Sequence, residues 1–149
     1  MPPANLDYNH IVDGIYVGTN QCCTVGLSEV LKKEGITADI SLEEKKIDQP
    51  FGVKIYAWIP TADHYSPNPD QMDFGVSILE KLVSQDKKVY LHCKNGHGRS
   101  SALLIAYLMK NKGMSLEQAM DFIRSKRPGA HIEKAQIEAL DIFRKKLSH

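Results

Sequence analysis

Residues 88–101 combine the residue types that could bind a phosphate group and attack it. A strand-like run ends at Cys93, a loop containing Gly96 and Gly98 follows, and Arg99 precedes a long apolar helix. A helix N-terminus carries unpaired N–H groups and a partial positive charge, so it binds anions. Glycines let successive N–H groups point inward around a tetrahedral oxyanion. The pattern therefore predicts a phosphate-binding loop with a cysteine at its base.

Cys93 and Arg99 are the residues of this loop with the chemistry for catalysis. The planar guanidinium of Arg99 can bind two oxygens of one phosphate group. A cysteine in such a positive environment ionises well below the usual pKa of a free thiol. The Cys93 thiolate could then attack phosphorus and form a cysteinyl-phosphate intermediate. The alternative is that Cys93 is a buried structural thiol, because free cysteine is usually buried.

Asp63 could supply a proton to the leaving group, as a positioned carboxylic acid does in general acid catalysis. It lies in the loop 61–69, which follows a predicted strand. We expect this strand to neighbour the Cys93 strand, so that the loop covers the same sheet edge. Asp70 is expected to cap the next helix, and Asp73 to lie inside it. The alternative is that Asp63 only makes an Asx turn within its loop.

The surrounding elements predict one α/β unit. Strands are predicted at 14–18, 36–42, 53–60 and 89–92, and helices at 26–34, 70–85, 100–112, 115–126 and 133–147. Their alternation indicates a central, mainly parallel sheet of four to five strands with helices on both faces. Ligands of such sheets bind beyond the C-terminal ends of the strands, where Cys93 is placed. We expect residues 1–149 to form a single catalytic domain.

The composition is that of an ordinary globular enzyme. The 149 residues are 42% hydrophobic and 25% charged, with a formal net charge of +1, which gives no bias toward nucleic acid or membrane surfaces. No apolar run reaches the roughly 18 residues of a membrane span, and the first residues do not resemble a signal peptide. Three cysteines without a disulfide framework favour a reducing compartment. We expect a cytoplasmic monomer that binds no nucleic acid and is not an integral membrane protein.

The segment His92-Cys93-x-x-Gly96-x-Gly98-Arg99-Ser100 resembles the signature of the cysteine-dependent protein tyrosine phosphatases. Within that superfamily the chain is similar to the small atypical dual-specificity phosphatases. The resemblance covers roughly residues 53–147 and includes the later segment Ile123-Arg124-x-x-Arg127-Pro128-Gly129. It implies the dual-specificity phosphatase fold and hydrolysis of phosphorylated proteins or peptides, with phosphotyrosine as the first expected substrate.

The resemblance also implies a role for each residue of the site. Cys93 is the nucleophile, Arg99 binds phosphate and stabilises the transition state, and Asp63 is the general acid and then the base. Ser100 donates a hydrogen bond to the cysteine sulfur, and His92 orients the loop. The phosphate oxygens are held by the backbone amides of Lys94, Asn95, Gly96, His97, Gly98 and Arg99. No cofactor and no metal are implied.

Lys94 and His97 raise a second substrate class, because both lie inside the predicted phosphate loop. Family members that act on phosphoinositides or other acidic phospholipids often carry basic residues at these positions. A phosphatase for phospholipids or small metabolites is therefore the alternative to a protein phosphatase, unless both side chains simply point to solvent. A non-catalytic phosphate-binding module, or a rhodanese-type sulfurtransferase, is disfavoured because Cys93, Arg99 and Asp63 occur together.

The other cysteines and histidines leave two questions open. Cys22 and Cys23 are either core residues that follow the first strand or redox partners of Cys93, since low-pKa thiolates oxidise readily. His92, Cys93 and His97 superficially offer metal ligands. A zinc site needs three or four ligands, and no second cluster is visible in the sequence, so we expect no metal.

Four more positions are open within the resemblance. Asn95 stands where alanine is frequent in the family, and Ser101 stands where glycine is frequent. Both are small, and we interpret them as variants that fit the loop. Glu133 or Gln136 would place the hydrolytic water, or else they are a helix cap and a surface position.

Overall fold

The computed structural model describes residues 6–147. The five strands are β1 (Tyr8–Val12), β2 (Ile15–Gly18), β3 (Ile36–Ser41), β4 (Ile55–Trp58) and β5 (Lys88–His92). The five α-helices are α1 (Glu29–Glu34), α2 (Pro69–Ser84), α3 (Arg99–Lys112), α4 (Leu116–Lys126) and α5 (Lys134–Leu147), and a short 3₁₀ helix spans Asn20–Cys23. Residues 1–5, which the sequence suggests are not a signal peptide, lie outside the described residues.

The five strands form one sheet in the order β1-β2-β5-β3-β4, so the strand that leads to Cys93 is central. Strands β2, β5, β3 and β4 run parallel, and β1 pairs antiparallel with β2. The predicted α/β fold with a mainly parallel sheet is confirmed. No helix of the described residues is both long and apolar enough to cross a membrane.

One predicted neighbour relationship is wrong. The strand before the Asp63 loop, β4, does not pair with β5, because β3 lies between them. The register explains why the Asp63 loop still reaches the Cys93 loop. Ser41 at the end of β3 lies opposite His92 on one side and opposite Trp58 on the other. All three strands therefore end at one edge of the sheet, and the loops that follow them meet there.

Two hydrophobic clusters cover the two faces of the sheet. The larger contains Val89 and Leu91 of β5 together with residues of α2, α3, α4 and α5. The smaller contains Tyr90 of the same strand and Leu31 of α1. This alternation is expected because successive side chains of a strand point to opposite faces. Helix α3 is buried on all sides over 99–109, as its continuous apolar stretch predicts.

The N-terminal part differs most from the sequence-based expectation. Strand β1 was not predicted, although Asp13 and Gly14 between β1 and β2 form a tight turn in which both residues have positive φ, 54° and 78°. An Asp-Gly pair between two strands is a strong hairpin signal. The helix predicted at 26–34 forms only at Glu29–Glu34, and Gly35 ends it in the left-handed conformation, as expected.

The residue that caps α2 is Asn68, not Asp70. The Asn68 side chain accepts a hydrogen bond from the Gln71 backbone N–H at 2.8 Å, and the Gln71 side chain accepts one from the Asn68 N–H at 3.0 Å. Asp70 lies in the first turn, where a negative charge interacts favourably with the helix dipole. Asp73 lies inside α2, as predicted.

Asn68→Ala should lower the free energy of unfolding by about 1 kcal/mol, because it removes this reciprocal cap. Ser28→Ala is the matched control. Ser28 occupies the N-cap of α1 but makes no capping hydrogen bond with its side chain, so its replacement should change stability by less than about 0.5 kcal/mol. Urea unfolding followed by circular dichroism measures both, and equal losses would contradict the assigned role of Asn68.

Candidate active site

The loop 93–98 connects the central strand β5 to the buried helix α3. Its conformation requires glycine at position 96, where φ is +70° and a Cβ atom would lie 2.6 Å from the carbonyl oxygen of Gly18. The N-cap of α3, Gly98, has no side chain to bind the first helical N–H groups. The loop thus leaves an uncapped helix N-terminus beside Cys93, which is the arrangement that binds anions.

Cys93 is 3% exposed and lies at the base of this loop. Its sulfur is 3.4 Å from the Ser100 hydroxyl oxygen. Burial alone would raise the pKa of the thiol, but the Ser100 hydroxyl, the backbone N–H groups of Ser100 and Gly96, and the charge of Arg99 together lower it. The surroundings of Cys93 thus favour its thiolate form, whereas burial alone would favour a neutral thiol.

Arg99 is held in the site by two backbone carbonyl groups. Its Nη1 donates to the oxygen of Thr61 at 2.9 Å and to that of Leu42 at 3.4 Å. Leu42 follows β3, and Thr61 belongs to the loop after β4, so the aligned strand ends orient this buried guanidinium. Its Nε is 3.7 Å from Asp63 Oδ1.

Asp63 lies next to Arg99 at the mouth of the site, with 65% of its side chain exposed. Its Oδ1 also accepts a hydrogen bond from the His64 backbone N–H at 2.9 Å. The Asp63 carboxylate therefore contacts both its own loop and Arg99. His64 has positive φ, +72°, and its Nδ1 is 3.3 Å from Glu133 Oε1. The start of the last helix is thereby linked to the Asp63 loop.

Gln136 is fully buried, so the surface alternative for this residue is wrong. Its Oε1 accepts a hydrogen bond from the Glu133 N–H at 2.8 Å, which caps α5. Its Nε2 donates to the carbonyl oxygen of Tyr65 at 3.0 Å. Gln136 thus supports the Asp63 loop from below, and placement of water by Gln136 or Glu133 stays a prediction.

Arg127 contacts the phosphate loop through hydrogen bonds that the sequence did not predict. Its Nε donates to the carbonyl oxygen of Gly96 at 2.9 Å and its Nη2 to that of Asn95 at 2.8 Å. Its Nη1 donates to Asn9 at 2.8 Å and to Asp7 at 3.3 Å. Because Arg127 binds two carbonyl groups of the loop, it helps to fix the loop conformation. The resemblance did include Arg127, but only as a matching residue.

His92 is fully buried, with its Nδ1 3.3 Å from the Cys93 carbonyl oxygen. Its Nε2 faces the carboxylates of Asp39 and Asp48 at 3.1 and 2.9 Å. Burial alone would lower the pKa of His92, but these carboxylates raise it to about 10. These contacts fit the predicted role of His92 in orienting the loop.

Cys22 and Cys23 are joined by a disulfide bond, so the expectation of no disulfide is wrong. They belong to the smaller hydrophobic cluster, whereas Cys93 belongs to the larger cluster on the other face of the sheet. The structure thus does not bring them to Cys93 as redox partners. They lie instead beside His92 and two aspartates, which is a second cluster of potential metal ligands that the sequence did not reveal.

The two basic loop residues have different surroundings. Lys94 lines the same cleft as Arg99 and Asp63, together with two lysines and two glutamates: Lys45, Lys46, Glu43 and Glu44. The His97 ring lies where a Cβ on Gly129 would meet it at 2.9 Å. Burial and the charge of Arg127 lower the pKa of His97, which favours its neutral form. Lys94, and not His97, brings positive charge to the cleft.

The family model described as "Dual specificity phosphatase, catalytic domain" matches residues 15–146. A phosphatidylglycerophosphate phosphatase of Arabidopsis thaliana is 31% identical over 57% of this chain and 38% of that protein. Dual specificity protein phosphatase 1 of the same plant is 28% identical over 92% of this chain and 69% of that protein. The crystal structure of human DUSP28 has the same fold, with a TM-score of 0.84 and 20% identity over 94% of this chain and 97% of the other.

Ser100→Ala should raise the pKa of Cys93, because it removes a hydrogen bond to the thiolate. The rate of alkylation by iodoacetamide follows the thiolate fraction, so the midpoint of its pH profile should move up by about 1–2 pH units. Ser101→Ala is the matched control, because the Ser101 hydroxyl is buried without a hydrogen-bond partner among the described residues. It should leave the midpoint unchanged. An unchanged midpoint for Ser100→Ala would show that Ser100 does not stabilise the thiolate.

Proposed function

The chain belongs to the dual specificity phosphatase family, and from this premise we propose that it hydrolyses phosphate monoesters through a cysteinyl-phosphate intermediate. The observation that carries the proposal is the convergence of three groups. The Cys93 thiol, with its lowered pKa, lies beneath an uncapped helix N-terminus. Arg99 adjoins that loop, and the Asp63 carboxylate is 3.7 Å from the Arg99 guanidinium.

In the first step, the loop N–H groups and Arg99 hold the phosphate oxygens, and the Cys93 thiolate attacks phosphorus. Phosphoryl transfer has a loose transition state with charge spread over those oxygens, so fixed donors supply much of the rate acceleration. Asp63 donates its proton to the departing alkoxide or phenoxide oxygen. The exposed position of Asp63 leaves room for a bulky leaving group.

In the second step, the Asp63 carboxylate takes a proton from water, and the water oxygen attacks the cysteinyl phosphate. The sulfur leaves as a thiolate, which is stabilised by the Ser100 hydroxyl 3.4 Å away. Both steps use groups of this chain alone. The acid of the first step is the base of the second, as reversible proton transfer requires.

We propose phosphorylated proteins or peptides as the substrate class, with phosphotyrosine first. Acidic phospholipids or metabolites are the second candidate, and a specific observation favours them. Lys94, Lys45 and Lys46 line the cleft beside Arg99, where they could bind further negative charge around the reacting phosphate, although Glu43 and Glu44 line the same cleft. One relative of this chain is named a phosphatidylglycerophosphate phosphatase. The lowered pKa of His97 argues against a strongly cationic loop.

Asp63→Asn should lower kcat for p-nitrophenyl phosphate by about 10²–10⁴-fold and remove the basic limb of the pH profile, where the acid loses its proton. Cys93→Ser should abolish turnover while substrate still binds. Asp73→Asn, an exposed acid on α2 outside the site, is the matched control and should keep wild-type kinetics. Steady-state kinetics without added metal, with vanadate as inhibitor, measure all three. Wild-type activity in Cys93→Ser would overturn the mechanism.

Lys94→Met distinguishes the two substrate classes. If a second anionic group of the substrate lies in the cleft, this change should raise KM for phosphatidylglycerophosphate or phosphoinositide vesicles more than about tenfold, while a phosphotyrosine peptide changes much less. Lys87→Met is the control, because Lys87 is exposed just before β5, at the opposite end of that strand from the site. Phosphate release from no vesicle, with ready turnover of the peptide, would rule out the lipid candidate.

A further inference from the structure

A buried cluster of side chains behind the phosphate loop has the composition of a metal site. Its members are Cys22, Cys23, Asp39, Asp48 and His92, and all five are buried. One potential ligand atom of each lies within 4.8 Å of those of all the others. The members come from the 3₁₀ helix, β3, the loop after β3 and the end of β5. Four separate segments thus direct sulfur, oxygen and nitrogen atoms to one point.

Several atoms of the cluster have no hydrogen-bond partner among the described residues. They are Asp39 Oδ1, both carboxylate oxygens of Asp48, and His92 Nε2. The His92 nitrogen is close to both carboxylates, but neither contact has the direction of a hydrogen bond. Buried polar atoms are nearly always paired or coordinate a metal. A cation bound between these atoms would give each of them a partner.

The orientation of His92 also suits a metal ligand. Its Nε2 faces the buried carboxylates of Asp39 and Asp48. Its Nδ1 is 3.3 Å from the Cys93 carbonyl oxygen, and because a carbonyl only accepts, we assign a ring proton to Nδ1. When Nε2 gives up its own proton, its lone pair faces the cluster, as in metal-binding histidines.

We propose that this cluster, with both cysteines reduced, binds one zinc ion. Thiolate, imidazole and carboxylate together are the ligands of tetrahedral zinc. Tetrahedral ligands at zinc distances lie about 3.3–3.8 Å apart. The separations around His92 and the 4.8 Å limit of the cluster bracket this value. Both carboxylate oxygens of Asp48 lack a hydrogen-bond partner among the described residues, whereas only one oxygen of Asp39 does, so the geometry assigns Cys22, Cys23, His92 and Asp48 as ligands.

Zinc binding and the disulfide exclude one another, because the same two sulfur atoms serve both. A dithiol reductant gives two electrons and two protons to the Cys22–Cys23 bond, which breaks to form two thiols. Zinc then replaces the two thiol protons and the Nε2 proton of His92, and all three protons pass to solvent. The ion holds His92, whose other nitrogen contacts the Cys93 carbonyl. The site is structural, and it does not enter the hydrolysis steps.

The test uses full-length protein reduced with excess dithiol, exchanged into chelator-free buffer and loaded with Zn²⁺ alone or Co²⁺ alone. We expect about one metal ion per chain by mass spectrometric elemental analysis. The cobalt form should show the visible bands of tetrahedral coordination and a near-ultraviolet sulfur-to-metal charge-transfer band. Oxidation with diamide, which restores the disulfide, should release the ion.

Variants locate the ion. Cys23→Ser and Asp48→Asn should each weaken zinc affinity more than about 100-fold, beyond the effect of losing an outer-sphere partner. Cys93→Ser removes the third thiol, which lies outside the cluster, and should keep both stoichiometry and the charge-transfer band. Loss of that band in Cys93→Ser would place the metal at the catalytic thiol and overturn the proposal. Reduced wild-type protein that binds no stoichiometric zinc would overturn it as well, whatever the variants do.

Discussion

The proposed mechanism requires a negative charge on the Cys93 sulfur in a site that is almost closed to water, and burial opposes that charge. The groups around the sulfur are arranged so that they outweigh the effect of burial on the thiol pKa. A hydroxyl, two backbone N–H groups and a guanidinium act on the sulfur, and the helix that follows begins without a cap. The same donors that stabilise the thiolate are the ones that can bind the phosphate oxygens. Stabilising the nucleophile and recognising the substrate are therefore one electrostatic arrangement.

That arrangement depends on supports outside the loop itself. Arg127 donates hydrogen bonds to the carbonyl oxygens of Asn95 and Gly96. The close approach of Gly96 to Gly18 places the loop against the end of β2. On the opposite side, the carbonyls of Leu42 and Thr61 orient Arg99. Each support comes from a different part of the chain. The sheet register brings these parts together, because β3, β4 and β5 end at one edge.

The sequence predicts the chemistry of this site better than its support. Cys93, Arg99 and Ser100 lie within eight residues, so their local order is enough to predict a shared loop. The α/β class follows from the alternation of strands and helices. The order of the strands does not follow from it, and β3 in fact lies between β4 and β5. Polar residues interrupt the apolar pattern of β1, so the pattern alone does not predict this strand. The Asp13-Gly14 turn does indicate a hairpin at this point. The contacts of Arg127 could not be predicted, since no fixed spacing relates contacts between distant segments. The same holds for the buried cluster of Cys22, Cys23, Asp39, Asp48 and His92.

The covalent intermediate on Cys93 is the central claim, and its direct detection is the sharpest measurement. Wild-type protein turning over p-nitrophenyl phosphate would be stopped by a rapid quench, digested with trypsin and analysed by mass spectrometry. The account predicts one added phosphoryl group on the peptide 89–94, attached through the Cys93 sulfur. The same peptide from Cys93→Ser protein should carry none. Full turnover with no phosphorylated peptide, or a phosphoryl group on another residue, would contradict the account.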